Sequence, residues 1–395
     1  MNAVGIDVSK GKSVVAILRP FGEVMYSPFE IRHTSSDIHS LIRLINSMEG
    51  ESRIVMEHTG RYYEALAHQL SDANLFVSAV NPKLIKDFDN NSLRKVKTDK
   101  ADSIKIARYA LDKWQFLEQY SVMDEIRNQL KTMNRQFGFY MKHKTAMKNN
   151  LIAILDQTYP GVNTYFDSPA RSDGSQKWVD FAATYWHVDC VRKMSLNAFA
   201  DHYQNWCKRK KYSFSRSKAE EIYRKSKEIV PVLPKDEITK LIIKQAVEQV
   251  RNASATVEEL RAFMNETASK LPEYPIVMGM NGVGTSLGPQ LMAEIGDVRR
   301  FTHKGAITAF AGVDPGVNES GSYEQKSVPI SKRGSGELRK TLFQVMDVLL
   351  KSMPQEDPVY QFVDKKRAQG KPYYVYMTAG ANKFLRIYYG RVKEY

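Results

Sequence analysis

The chain has 395 residues, enough for two or three domains, and a net charge of +14 with an isoelectric point near 9.4. This excess favours a polyanionic partner, of which nucleic acid is the commonest, although a basic solvated surface is the alternative. The two cysteines, Cys190 and Cys207, fit neither a CxxC pair nor a usual zinc spacing, so we expect reduced thiols. We find no leader and no long apolar window, which predicts a soluble, cytoplasmic protein without a membrane segment.

Strand and helix patterns alternate through residues 1–115. Residues 3–9, 13–19 and 23–31 predict three antiparallel strands, the last two joined by the turn Pro20-Phe21-Gly22. The predicted elements that follow are a helix at 36–48, a strand at 53–57, a helix at 61–71, a strand at 75–80, a short helix at 83–88 and a helix at 99–111. This order is that of the ribonuclease-H-like fold, an α/β architecture with a mixed sheet.

Three short motifs place carboxylates at strand ends or on a helix face. They hold Asp7 in VGIDVSK, Glu57 in IVME, and Asp99 and Asp102 in TDKAD. Asp99 and Asp102 share a helix face because they are three residues apart, and Glu57 ends a strand expected beside that of Asp7. Carboxylate oxygens are ligands that Mg²⁺ prefers, and four of them could surround one or two ions that act on a nucleic-acid phosphate. The alternative is four unrelated surface acids.

Basic residues surround the last acidic motif and could hold a phosphate backbone near the metal. The nucleic-acid contacts predicted here are Arg94, Lys97, Lys100 and Arg108. The alternative for each is a solvated basic helix. His33 and His58 are possible further ligands, but a lone histidine is more often a polar filler, so neither is included.

The middle of the chain, residues 116–274, is predicted to be helical. Apolar residues recur every three or four positions in two long segments, 123–155 and 238–271, and neither contains a proline. We expect two antiparallel arms of a coiled coil; the alternative is that both pack inside one bundle. Between them, residues 159–234 predict an inserted helical subdomain. Its basic run, Lys208 to Lys211, could contact nucleic acid together with neighbouring aromatic residues.

Residues 275–395 predict a separate, mainly helical domain with Gly-rich turns. The segment MGMNGVGTSLGPQLMAEIGD resembles a helix-hairpin-helix, in which Gly282 and Gly284 would bring backbone amides to a phosphate; a plain tight turn is the alternative. Ser320 stands before a glycine in a loop, a weak signal by itself. The basic residues downstream that could bind a phosphate are Lys332, Arg333 and Arg339.

Taken together, the two ends of the chain resemble the DEDD transposases of the bridge-RNA-guided insertion sequences, the one-hundred-and-ten family. The motifs near the N-terminus are GIDVSK, VMEHTGRYYEAL, NPKLIKDF and KTDKADSIKIARYA. Those near the C-terminus are MNGVGTSLGPQLMAEIGDVRRF, ITAFAGVDPGVNESG and ISKRGSGELRKTLF. Each motif is weak alone, whereas their order and joint presence are specific. The resemblance covers most of the chain outside residues 159–234, a stretch larger than the family's usual connection.

The resemblance implies a RuvC-like domain whose four carboxylates bind Mg²⁺ and a C-terminal transposase domain whose serine attacks DNA. By its place in the Pro-x-x-x-x-Ser-Gly pattern that serine is Ser320, with Ser322 and Ser286 as weaker candidates. It further implies double-stranded target and donor DNA, a structured non-coding guide RNA, and a homo-oligomer, dimer or tetramer, whose site is shared between subunits. Such a protein would be associated with the nucleoid.

The expected reaction is attack of Ser320 on a phosphodiester, which gives a phosphoserine link to DNA. A serine hydroxyl is a weak nucleophile, and no suitable histidine stands near it, so we expect the metal site to supply activation. No Gly-x-x-x-x-Gly-Lys-Ser/Thr loop is present, in agreement with strand exchange without ATP. Two alternatives stay open: a RuvC-like nuclease or junction resolvase that uses water, and a non-catalytic nucleic-acid-binding protein.

Overall fold

The computed structural model describes residues 1–57, 62–88, 98–120, 125–314, 319–320, 323–324 and 329–395. The chain divides into two compact units, Met1–Val122 and Met123–Tyr395. Among the helices within the described ranges, none is long and apolar enough to span a membrane.

The first unit is built on a five-stranded mixed sheet. Its strands are β1 (Asn2–Ser9), β2 (Lys12–Leu18), β3 (Val24–Arg32), β4 (Ser52–Glu57) and β5 (Phe76–Val80). They are arranged in the order β3-β2-β1-β4-β5, with β2 antiparallel to both β1 and β3, and β4 parallel to both β1 and β5. A 3-10 turn at Pro20–Gly22 joins β2 to β3 where the sequence predicts a turn.

Helices cover both faces of this sheet. They are α1 (Ser35–Asn46), α2 (Tyr62–Asp72), α3 (Pro82–Asp87) and α4 (Asp99–Asp112), followed by a 3-10 turn at Trp114–Phe116. One face packs Val4 and Ile6 against α1 and α2, while the other packs Val55 against Ile106 of α4. The two faces alternate along each strand, as a sheet buried on both sides requires. The predicted ribonuclease-H-like fold is confirmed.

The second unit is helical apart from one short hairpin in its described part. Its helices are α5 (Glu125–Thr158), α6 (Lys177–Thr184), α7 (Asp189–Arg192), α8 (Leu196–Lys210), α9 (Arg216–Glu228), α10 (Glu237–Ser269), α11 (Tyr274–Met278), α12 (Leu287–Ile295), α13 (Lys304–Ala311), α14 (Gly336–Ser352), α15 (Pro358–Ala368) and α16 (Tyr373–Lys393). The hairpin strands are β6 (Glu319–Ser320) and β7 (Tyr323–Glu324). The predicted mainly helical C-terminal part is thus confirmed.

The two long helices, α5 and α10, pack against each other in antiparallel directions. Near the start of α5, Leu130 shares a core with Met264 near the end of α10, and near the end of α5, Leu151 shares a second core with Ile243. The predicted antiparallel arms are therefore present. Each end of the pair packs against other helices of the unit: α12 lies in the first core, and α6 and α8 lie in the second.

The inserted segment forms a small helical subdomain around an aromatic core. Trp178, Phe181, Tyr203 and Trp206 are all at least 90% buried, and Phe181 contacts the rings of Tyr203 and Trp206 edge-on. Rings buried in this way are not available to stack on bases. The hypothesis that these aromatic residues act with the basic run on nucleic acid is therefore wrong for Trp178 and Trp206, because hydrophobic packing uses them.

A buried carboxylate links α5 to the C-terminal helices. Glu294 of α12 is 3% exposed and accepts hydrogen bonds from Asn134 Nδ2 at 2.8 Å, Arg135 Nη2 at 2.9 Å and Ser335 Oγ at 3.0 Å. Ser335 also caps α14, since its Oγ accepts from the Leu338 amide. A buried charge held by three donors fixes the start of α14 relative to α5 and α12.

Candidate active site

Two of the predicted site residues end neighbouring parallel strands. The ladder between β1 and β4 pairs Ile6 with Met56, so Asp7 and Glu57 follow at the same end of the sheet. Adjacent strands are about 4.8 Å apart, which keeps the two positions close. The fold thus brings together residues that stand 50 positions apart in the chain.

Both residues also lie on the face that α4 covers. Gly5 of β1 touches this helix directly: a Cβ there would stand 2.3 Å from the Ala107 amide nitrogen and 2.3 Å from the Ser103 carbonyl oxygen. Asp7 follows Gly5 by two residues, and Glu57 follows Val55, which packs against Ile106, by the same interval. Because strand side chains alternate, both carboxylates belong to the α4 side. Gly5 therefore permits the close approach of α4 at this position.

The first turn of α4 carries the other two carboxylates. Thr98 caps the helix by accepting from the Ala101 amide at 3.2 Å, and Asp99 and Asp102 follow in that turn. Lys12, at the start of β2, has a raised pKa because it donates to Glu30 at 2.7 Å, and the negative charge of Asp99 adds to the shift. α4 packs on both β1 and β2, so its first turn belongs to the face of the sheet on which Asp7 lies.

Asp7 and Glu57 thus share one end and one face of the sheet, and the helix that covers this face carries Asp99 and Asp102 in its first turn. Within the described ranges, no group of three or more His, Cys, Asp or Glu side chains is arranged as a metal site. The donor chemistry nevertheless fits a divalent metal, since all four side chains offer the hard oxygen ligands that Mg²⁺ takes. The use of these residues as one ligand set stays a prediction.

The basic residues predicted around this site fall into two groups. Arg94 and Lys97, like His58, lie outside the described residues. Lys100 and Arg108 are exposed on α4. His33 bonds to the Ser13 hydroxyl at 2.7 Å, and burial lowers the pKa of its imidazole, which suits a polar filler.

The predicted nucleophile lies in the short hairpin of the second unit. Ser320 in β6 pairs with Tyr323 in β7, and Glu319 pairs with Glu324. Ser322 lies outside the described residues. Ser286, the other candidate, sits just before α12, where its hydroxyl accepts from Gln290 Nε2 at 3.3 Å.

Hydrogen bonds tie together the two chain segments that flank this hairpin. Ser331 donates from its amide to the Asp314 carbonyl at 3.0 Å and from its hydroxyl to the Asp314 carboxylate at 2.9 Å. Lys332 donates from its amide to the Gly312 carbonyl at 3.2 Å. Ser320 therefore belongs to a segment whose two ends are held side by side.

Two residues predicted to contact nucleic acid have intramolecular roles. Gly282 has φ of +79°, and a Cβ there would stand 2.7 Å from Leu349 Cγ in α14, so its backbone approaches that helix. Arg339 Nη1 donates to the Ala311 carbonyl at 2.9 Å, at the end of α13. Gly284, in contrast, is exposed and has open space beside it. Contacts of these three residues with nucleic acid stay predictions.

Lys332 and Arg333 are exposed next to a groove that the sequence did not predict. The groove has a volume of about 1430 Å³ and lies between α14, α15, α16 and residues 329–332. Lys383 and Arg386 of α16 line it. Their spacing by three residues, which puts two cations on one helix face, is the signal that could have revealed them.

The chain thus combines a ribonuclease-H-like unit, in which Asp7 and Glu57 end two central strands, with a helical unit that carries a serine in a hairpin and a basic groove. This combination is typical of proteins that act on nucleic acid. Comparisons with known proteins narrow the class. A DEDD transposase model of the IS110 type matches residues 4–160, and a model described as Transposase IS116/IS110/IS902 family matches residues 274–361. The chain belongs to this family of insertion-sequence transposases.

Two curated relatives share most of the chain length. The pilin gene-inverting protein of Moraxella bovis is 23% identical over 341 residues, which cover 86% of this chain and 80% of the relative. The pilin gene-inverting protein of Moraxella lacunata matches with the same identity and coverage. The predicted class of DNA-recombining enzyme is thereby confirmed, and the family implies a DNA substrate and use of a divalent metal.

Proposed function

We propose that this protein is an RNA-guided DNA recombinase that moves an insertion sequence through a phosphoserine intermediate. The observation that supports the proposal is that Asp7 and Glu57 end neighbouring strands under α4, whose first turn carries Asp99 and Asp102. The two ends of the chain also match models of one transposase family. A nuclease that uses water would account for the carboxylates but would leave the serine hairpin without a role.

In the proposed reaction the Ser320 hydroxyl attacks a DNA phosphodiester. The serine oxygen forms a new bond to phosphorus, the serine proton leaves, and one DNA oxygen departs as a free hydroxyl. A hydroxyl of another strand then attacks the phosphoserine, which restores the serine and joins the strands. The number of ester bonds is unchanged, so no nucleotide hydrolysis is required.

Asp7, Glu57, Asp99 and Asp102 would hold Mg²⁺. When bound there, the ion would stabilise the attacking and leaving oxygens by its positive charge. The carboxylates would hold the ion at this end of the sheet, and the exposed Lys100 and Arg108 of α4 would bind the DNA backbone beside it. Base pairing with a structured guide RNA would select the target and donor DNA, while the protein reads duplex shape and backbone.

Two substitutions test this chemistry. Asp102→Asn should abolish cleavage of a donor–target substrate while leaving RNA binding intact, since only one metal ligand changes. Ser320→Ala should abolish both recombination and the covalent adduct, which peptide mapping of a reaction trapped on nicked DNA should locate at Ser320. Cleavage that survives Ser320→Ala would instead identify a water-using nuclease.

A mixing experiment tests the proposed oligomer, a dimer or tetramer with a shared site. Asp102→Asn and Ser320→Ala chains are each expected to be inactive. If the carboxylates of one subunit act with the serine of another, mixed oligomers should recover part of the activity. Sequencing the nucleic acid that co-purifies with the protein tests RNA guidance, because a discrete structured RNA is expected and its absence would contradict it.

A further inference from the structure

The groove between α14, α15 and α16 has a strongly basic lining. Arg339 reaches it, and five further cationic side chains surround it: Lys332, Lys340, Lys366, Lys383 and Arg386. Among its described lining residues the single acid is Asp347, which accepts a hydrogen bond from the Tyr373 hydroxyl at 3.0 Å. Lys340 pairs with Glu337 at 3.7 Å, and the remaining excess of positive charge favours a negatively charged occupant.

The interior of the same groove is apolar and aromatic. Phe343, Phe362 and Ala379 line it, together with Tyr374, whose side chain is exposed. Lys366 and Lys383 lie over the Phe362 ring, at 5.0 Å and 4.7 Å from its centroid, so two cations are held beside an aromatic surface. Both ammonium nitrogens lie over the ring face as cation–π contacts, so positive charge and aromatic surface occur together in the groove.

This combination distinguishes between possible polyanionic occupants. An intact duplex presents its phosphates outward and keeps its base faces stacked inside. It therefore exposes no base face that could contact the apolar interior of the groove. An unpaired strand offers one phosphate per nucleotide and flat bases that stack on aromatic side chains. A protein partner with an apolar surface would need an acidic rim to match six cations.

The position of the groove favours DNA over RNA as the single strand that it binds. Val313, Pro329 and Ile330 line it, and they stand immediately beside Asp314 and Ser331, the paired residues at the base of the segment that carries Ser320. We propose that this groove binds a single-stranded DNA segment, with bases against Tyr374 and Phe343 and phosphates on the surrounding cations. The inference rests on the proposed recombination, in which strands must unpair before they are exchanged.

Binding of fluorescein-labelled oligothymidylate to the full chain tests the proposal. A strand of about 12 nucleotides, a duplex of equal length and an oligouridylate serve as probes, because a single-strand site spans about 4–16 nucleotides. Tyr374→Ala should weaken oligothymidylate binding on the order of tenfold, the effect of losing one stacking platform, while duplex binding changes less than about twofold. Tyr374→Phe should retain binding, since the ring remains.

Matched controls separate the groove from the rest of a basic surface. Lys366→Ala should weaken binding of the single strand, whereas Lys365→Ala, on the same helix but outside the groove lining, should not. Phe139→Ala removes an exposed ring from α5 and should also leave binding unchanged. A crosslink from iodouracil-substituted DNA should map to peptides of α14 or α16.

Several outcomes would overturn the inference. These are an unchanged affinity in Tyr374→Ala, equal losses for single strand and duplex, or a Tyr374 dependence confined to oligouridylate. Failure of the proposed function appears differently. If Ser320→Ala still recombines DNA while Tyr374→Ala no longer binds the single strand, the proposed serine chemistry is contradicted. The proposed single-strand binding in the groove is supported by the same result.

Discussion

At the scale of single residues, Gly5 allows α4 to pack closely on β1 at the candidate site, because glycine has no side chain. The backbone of β1 meets α4 at this glycine, and α4 carries Asp99 and Asp102 at its start. A methyl group would stand 2.3 Å from backbone atoms of α4, which cannot move aside as a flexible side chain would. The position of two carboxylates thus depends on a residue with no functional group.

Gly5→Ala should therefore destabilise the first unit. Forcing extra volume into a packed contact costs about 1–3 kcal/mol, and here the helix itself must shift. Chemical unfolding followed by circular dichroism should show the loss, and cleavage activity should fall with it. Gly138→Ala is the matched control, because an added Cβ inside α5 meets no atom within 4 Å and should stabilise the helix by about 0.5–1 kcal/mol. Equal stability of the two variants would contradict the prediction.

A local sequence pattern does not show which residues have partners that are distant in the chain. The turn around Gly282 has the composition of a phosphate-binding hairpin, yet its backbone approaches Leu349 of α14, 67 positions later by number. Arg339 stands in a basic motif, yet it donates to Ala311 at the end of α13. Local pattern cannot distinguish a group that faces solvent from one that meets another helix.

At the scale of elements, the sequence predicted most of the architecture. Short apolar runs bounded by turn residues identified all five strands of the first unit to within one residue, because most of these strands are buried on both faces of the sheet. Periodicity of three and four likewise identified α5 and α10. The groove escaped prediction because it is formed by three helices, and no single one of them carries its chemistry.

In the inserted subdomain, burial of several tyrosines makes the stability of the folded state depend on pH. Tyr159, Tyr185 and Tyr203 belong to its aromatic core, and burial raises the pKa of each phenol above its ordinary value. The folded state therefore keeps protons that the unfolded chain releases near pH 10. The stability from these groups is fully present below that pH and is lost as pH rises further.

Tyr159→Phe should reduce this alkaline loss. The variant removes one buried phenol, so its free energy of unfolding should fall less steeply than that of the native chain above about pH 10. At neutral pH it should cost about 0.5–1.5 kcal/mol, because the hydroxyl of Tyr159 bonds to Ser226 Oγ at 2.6 Å. Urea unfolding at a series of pH values measures both effects, and identical slopes would contradict the assignment.

At the scale of the whole molecule, the net charge of +14 favours binding of the DNA substrate that the family implies. Neutralising phosphates releases counterions, so the logarithm of the dissociation constant for duplex DNA should rise linearly with the logarithm of salt concentration, by about 0.9 per phosphate contacted. A flat response would contradict the role assigned to the basic surface.

The salt dependence of the dissociation constant also distinguishes basic residues that bind DNA from basic residues that stabilise the fold. Arg333 is exposed, and Arg333→Ala should lower the salt slope by about one while affecting stability little. Arg339→Ala should leave the slope for duplex DNA unchanged and lower the melting temperature, because its guanidinium donates to the Ala311 carbonyl and a Cβ at Gly312 would stand 2.8 Å from it. Both arginines occupy one basic motif, so the opposite result, a slope that depends on Arg339 alone, would show that the motif meets DNA by rearranging these contacts.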